Sequence, residues 1–213
     1  MEDPIRGDLA RAELSELGLK YFVDVRTTAR RMLEHMPRST RAAFAAAAAE
    51  RLLREDESLP ASEHRAYLTT WRPVLDTVWG GLGGDEDCSR GVCRAVAHYY
   101  LTPEYHARQH ENPRDADGNA IMAVFYSAEC FLHGCLEFAG WAGWRAFDAA
   151  TVHAANDKDW PHRRPPDMSP YSWELAHPAV QAELDRQMED LELLDEAGEV
   201  PPVEQLRNPV ERS

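Results

Sequence analysis

Apolar residues recur along this chain at three- and four-residue steps, and no stretch alternates apolar with polar positions between turn signals. That pattern predicts an all-α fold without a sheet. From residue 8 to 34, Leu9, Leu14, Leu17, Phe22, Val25, Ala29 and Leu33 mark one or two helices with a break near Gly18. Pro37 stops this region, and Ser39 or Thr40 stands where a cap for a second helix over 41–54 is expected. Five consecutive alanines, Ala45 to Ala49, give that helix high propensity and a surface that neighbours can approach closely.

A third helical region is expected over 62–79, kinked or restarted near Thr70 by Pro73, and ended by Gly80, Gly81, Gly83 and Gly84. A fourth spans 85–101. A long polar loop with Pro103, Pro113 and Gly118 then leads to a fifth helix over 120–138, apolar on most faces and so expected at the centre of the fold. A sixth covers 144–157, and a connection rich in proline, Pro161 to Pro170, leads to a seventh beginning at Pro178. Its apolar line is Val180, Leu184, Met188 and Leu191, and Gly198 ends it. The expectation is a single-domain bundle of about seven helices over 1–198, followed by a frayed polar tail over 199–213.

Composition adds the charge. The chain has 213 residues and a formal net charge of −14, with Lys20 and Lys158 its only lysines. Wealth in alanine and arginine suggests a GC-rich bacterial genome. From His177 to Ser213 ten acidic residues face three arginines, a balance of −7 and half the total. Such a balance opposes nucleic-acid binding, where neutralised phosphates supply most of the affinity, and favours a basic partner. Neither an export signal nor an apolar run of the about 20 residues that span a bilayer is present in the sequence, so a cytoplasmic protein is expected.

Three stretches carry a family resemblance: Phe44 through Glu50 to Leu53, the run Val74-Leu75-Asp76-Thr77-Val78-Trp79, and Pro178-Ala179-Val180 leading to Glu192-Leu193-Leu194. In order and spacing the chain resembles the YjaG-like family of helical bacterial proteins, over roughly residues 14–196. The resemblance implies an all-α fold and no catalytic residues. The loops over 105–119 and 160–170 depart from the family by their length and prolines.

The candidate chemistry is sparse. Tyr126, Glu129, His133 and Glu137 share one stripe of the fifth helix, and a polar stripe on a buried helix needs partners. Glu129 and His133, with His98 and His153 from flanking helices, could form an open site for one divalent metal ion such as zinc, or the stripe could be a structural network involving Arg94 or Arg145. His106 and His110 lie in a loop with prolines at both ends. Cys88/Cys93 and Cys130/Cys135 are each five apart, a turn of roughly 140° on a helix that separates the thiols. Burial would raise rather than lower the pKa of Cys130 or Cys135. Trp141, Trp144, Trp160 and Trp173 either staple loops to the core or form a binding hot spot.

The leading expectation is a non-enzymatic protein without a cofactor, whose acidic face of Glu183, Asp185, Glu189, Asp190 and Glu192 engages a basic protein, as immunity partners of bacterial toxins do. The alternative is a helical-bundle metal-dependent enzyme or small-molecule-binding protein built on the Glu/His set.

Overall fold

In the computed structural model, residues 4–103, 105, 116–160, 164, 166 and 168–208 are described. They form ten helices and no strand: α1 (Pro4–Glu16), α2 (Phe22–His35), α3 (Arg38–Glu57), α4 (Leu68–Leu82), α5 (Cys88–Tyr100), α6 (Ala116–His133), α7 (Leu136–Asn156), α8 (Pro170–Leu175), α9 (Pro178–Ala197) and α10 (Val203–Arg207). The all-α expectation holds, with more helices than the seven anticipated. His106, His110 and most of the long loop that contains them lie outside the described residues. Among the described residues no helix is long and apolar enough to cross a membrane.

The alanine helix is the axis of the fold. Ala42 to Ala49, with Phe44, are at most 1% exposed, and α3 packs against both α6 and α7. Small side chains let three helices approach, and the larger Leu53, Leu75, Val78 and Trp79 fill the space around them. Each fully buried Leu contributes about 1.5–3 kcal/mol. A second, smaller cluster joins Leu14, Phe22, Phe147, Leu175 and Leu184, so α1, α2, α8 and α9 close over the far end of α7.

Several boundaries differ from the sequence expectation for physical reasons. Gly18 takes a left-handed φ of 70° and divides α1 from α2. Ser39 and Thr40 do not cap α3, which starts at Arg38 with no side-chain cap; their hydroxyls donate to the carbonyls of Glu199 and Gly198. Pro73 stays inside α4, which begins at Leu68 rather than residue 62.

The largest difference concerns the fifth predicted helix. It stops at His133, because Gly134 adopts a φ of 65°, and Leu136 starts a new helix that runs through Gly140 and Gly143. Two arginines of α3 hold this turn. Arg41 donates to Leu33, Glu34 and Gly134 carbonyls, and Arg38 to that of Leu132, so carboxyl-terminal carbonyls of both α2 and α6 are satisfied by one segment. Beyond α9, residues 199–208 do not fray: Pro201 and Leu206 are buried, Arg207 pairs with Asp76, and Arg54 donates to Asn208 at 2.7 Å.

Candidate functional site

Helix α9 starts where Pro178 occupies its first turn and the His177 ring accepts from the Ala179 backbone N–H at 3.1 Å. Its apolar stripe, Val180, Leu184, Leu191 and Leu194, is fully buried. Beside it, Glu183, Gln187 and Asp190 also turn inward. Arg51 of α3 donates to both Glu183 carboxylate oxygens at 2.9 Å and to Asp190 at 2.5 Å, and Gln187 donates to Glu183 and to the Gly143 carbonyl. Burial acts to lower the pKa of Arg51, but the two carboxylates outweigh it and hold the guanidinium above its ordinary range.

This arrangement splits the acidic face expected from the sequence. Glu183 and Asp190 pair with Arg51, and their side chains are 11% and 1% exposed. Asp185 pairs with Lys20, and Glu189 with Arg186 at 3.2 Å. Glu192 is exposed, and with Asp195, Glu196 and Glu199 it forms an acidic group at the carboxyl end of α9 in which no member has an ion pair among the described residues. Helix α9 has no basic residue in its last turn.

The Glu/His set assembles only in part. On α6, His133 approaches Glu129 at 3.2 Å, and Tyr100 of α5 donates to the other Glu129 oxygen at 2.5 Å. Burial first, and then the hydrogen bond to Glu129, raise the Tyr100 pKa. His98 lies exposed on α5. His153 faces Glu55 at 3.8 Å and the His177 ring, away from that pair. Among the described residues no three His, Cys, Asp or Glu side chains converge as a metal site. Arg145 reaches Asp148 and Asn119 instead of the Glu129 stripe. Burial pushes the Cys130 thiol up to about 12, consistent with an inert cysteine.

The tryptophans divide into two roles. Trp160 and Trp173 pack on each other at 4.7 Å, with Trp160 against His177 at 4.6 Å, and staple the connection between α7 and α9. Trp141 and Trp144 of α7 are 42% and 37% exposed, beside a groove shared with α2. Sequence reasoning did not find that groove: its walls come from helices more than 100 residues apart, and Gly140 and Gly143 read as turn signals. The part-buried Arg51 and the buried Glu50 were also missed, because their partners Arg72, Trp79, Glu183 and Asp190 come from α4 and α9.

Compared with known proteins, the chain matches no known family, no curated protein and no solved structure.

Proposed function

We propose that the protein is a non-enzymatic binding protein that receives a basic protein on the acidic end of α9. The observation carrying this reading is the group Glu192, Asp195, Glu196 and Glu199, exposed and without an ion pair among the described residues. Asp195 and Glu196, in the last turn of α9, oppose the helix dipole by about 0.3–1 kcal/mol each before screening, and the like charges of Glu192 and Glu196 one turn apart add about 0.2–0.5 kcal/mol. A surface that costs stability in the free protein and gains it against a cation is the arrangement expected of a docking face. An immunity-type partner of a basic bacterial toxin fits it, and a relation to the YjaG-like helical proteins belongs to the same proposal.

The test is co-purification with the products of neighbouring genes at low salt, using the wild type and the double variant Glu192→Lys/Glu196→Lys. The expected result is a basic protein retained by the wild type, released by added salt and lost in the variant. Retention of the same proteins by both forms, or of none by either, sinks the reading.

A second reading rests on the contact between Glu129 and His133, which supplies two ligands for a divalent ion such as zinc. Zinc would need its remaining ligands from water or a substrate. Calorimetric titration with zinc decides it: micromolar binding abolished by His133→Ala supports the site, and identical heats in both proteins exclude it.

A further inference from the structure

We propose that the groove between α2 and α7 binds a small amphipathic carboxylate. The groove encloses about 300 Å³, at the small end of the range for ligand pockets. Its floor is apolar, formed by Phe22, Ala29, Leu33 and Phe44, and Trp141 and Trp144 stand at its edge with their rings partly open to solvent.

Two glycines keep the α7 wall bare. A Cβ built on Gly140 meets no atom within 4 Å, so that position opens onto free space in the groove. At Gly143 a Cβ would crowd Phe44 at 3.3 Å and Gln187 at 3.2 Å, so glycine gives the closest fit to the core behind it. The result is a slot with hydrocarbon below, indole to one side and exposed helix backbone on the other, a shape suited to a flat or slender apolar body.

The charge at the rim selects the head group. Arg26 lies 4.4 Å from the Trp144 ring centroid and has no carboxylate partner among the described residues. Arg30 lies next along α2, loosely paired with Glu34 at 3.4 Å and Glu137 at 3.7 Å. Glu137, the acidic residue of the lining, is engaged by Arg30 and by the Cys135 thiol at 3.0 Å, which leaves Arg26 as the uncompensated charge. The bias extends along the chain: between residues 26 and 41 five arginines stand against Glu34 alone, in a protein of net charge −14. A guanidinium held against an indole at the mouth of an apolar slot is placed to take a carboxylate in a forked hydrogen bond while the ring below takes the hydrocarbon. This reading is independent of the acidic end of α9.

Calorimetry of the whole chain with cinnamate, cinnamyl alcohol and cinnamylamine, which share one hydrocarbon and differ in head-group charge, tests it. Cinnamate is expected to bind about tenfold or more tightly than the alcohol, and the amine more weakly still. Arg26→Gln should erase that preference, and Gly140→Leu, which fills the slot, should abolish binding while thermal melts show both variants folded. Equal affinity for the three probes overturns the carboxylate assignment. Cinnamate binding that survives Gly140→Leu, or no saturable binding to the wild type at millimolar concentration, overturns the site itself.

Discussion

Arg51 of α3 donates to the Asp190 carboxylate of α9 at 2.5 Å, with the Asp190 side chain 1% exposed and that of Arg51 16%. Glu183 completes the triad, so one cation is shared by two carboxylates between α3 and α9. Removing one partner of such a buried group leaves uncompensated charge, which costs about 3–5 kcal/mol, whereas removing all the charges together is far milder. Arg51→Met should therefore lose about 3–5 kcal/mol in urea denaturation. The triple variant that adds Glu183→Gln and Asp190→Asn should recover most of it. A loss below about 1 kcal/mol in Arg51→Met would show that the carboxylates find water instead.

The neighbouring Glu50 predicts a pH dependence. Burial works to raise its pKa, but Arg72, Arg54 and the Trp79 indole N–H, at 2.8, 2.8 and 2.9 Å, outweigh it and hold the carboxylate below its ordinary value. A carboxylate whose folded pKa is depressed contributes stability above its unfolded pKa of about 4.3, and that contribution is lost as the pH falls through the lower folded pKa. Glu50→Gln should thus be clearly less stable than the wild type at pH 7, with the gap closing below about pH 4. Thermal melts across that range check it; a gap that stays constant down to pH 3 would assign the loss to packing.

The helices most legible in the sequence were those whose cause is local. The alanine run made α3 legible by propensity alone, and Pro178 with Gly198 framed α9, where the start and stop signals agree with the apolar spacing. The break at Gly134 was not legible, since apolar residues continue on both sides and Gly140 and Gly143 remain helical. What distinguishes Gly134 is α3, about 95 residues earlier: Arg38 occupies the place where a side chain would stand, and Arg41 donates to the Gly134 carbonyl. The inward turn of Glu183 and Asp190 did leave a trace. They flank the buried apolar line at three- and four-residue steps shared with Gln187.

Two glycines of the same region should respond in opposite directions. At Gly134 a Cβ would overlap the Arg38 side chain, including its Cβ at 2.9 Å, on a backbone of positive φ. Gly134→Ala is expected to cost about 1–3 kcal/mol. Gly140 sits inside α7 with free space above it, so Gly140→Ala should gain about 0.5–1 kcal/mol from helix propensity. Chemical denaturation of the two variants checks both signs, and destabilisation by Gly140→Ala would mean that the groove is narrower than described.

The acidic end of α9 makes a last prediction that separates folding from binding. Glu196 lies one turn beyond Glu192 and at the negative end of the helix dipole, with no basic residue in that turn. Lysine at position 196 replaces a repulsive pair with an attractive one and complements the dipole, so Glu196→Lys should stabilise the fold by about 0.5 kcal/mol at low salt. The gain should shrink as salt is added, because exposed charges are screened beyond about 10 Å at 0.1 M. The same variant should weaken association with a basic partner, so that stability and binding move in opposite directions. If Glu196→Lys instead lowers the unfolding temperature at low salt, the acid group stabilises the free chain and no longer argues for a docking face.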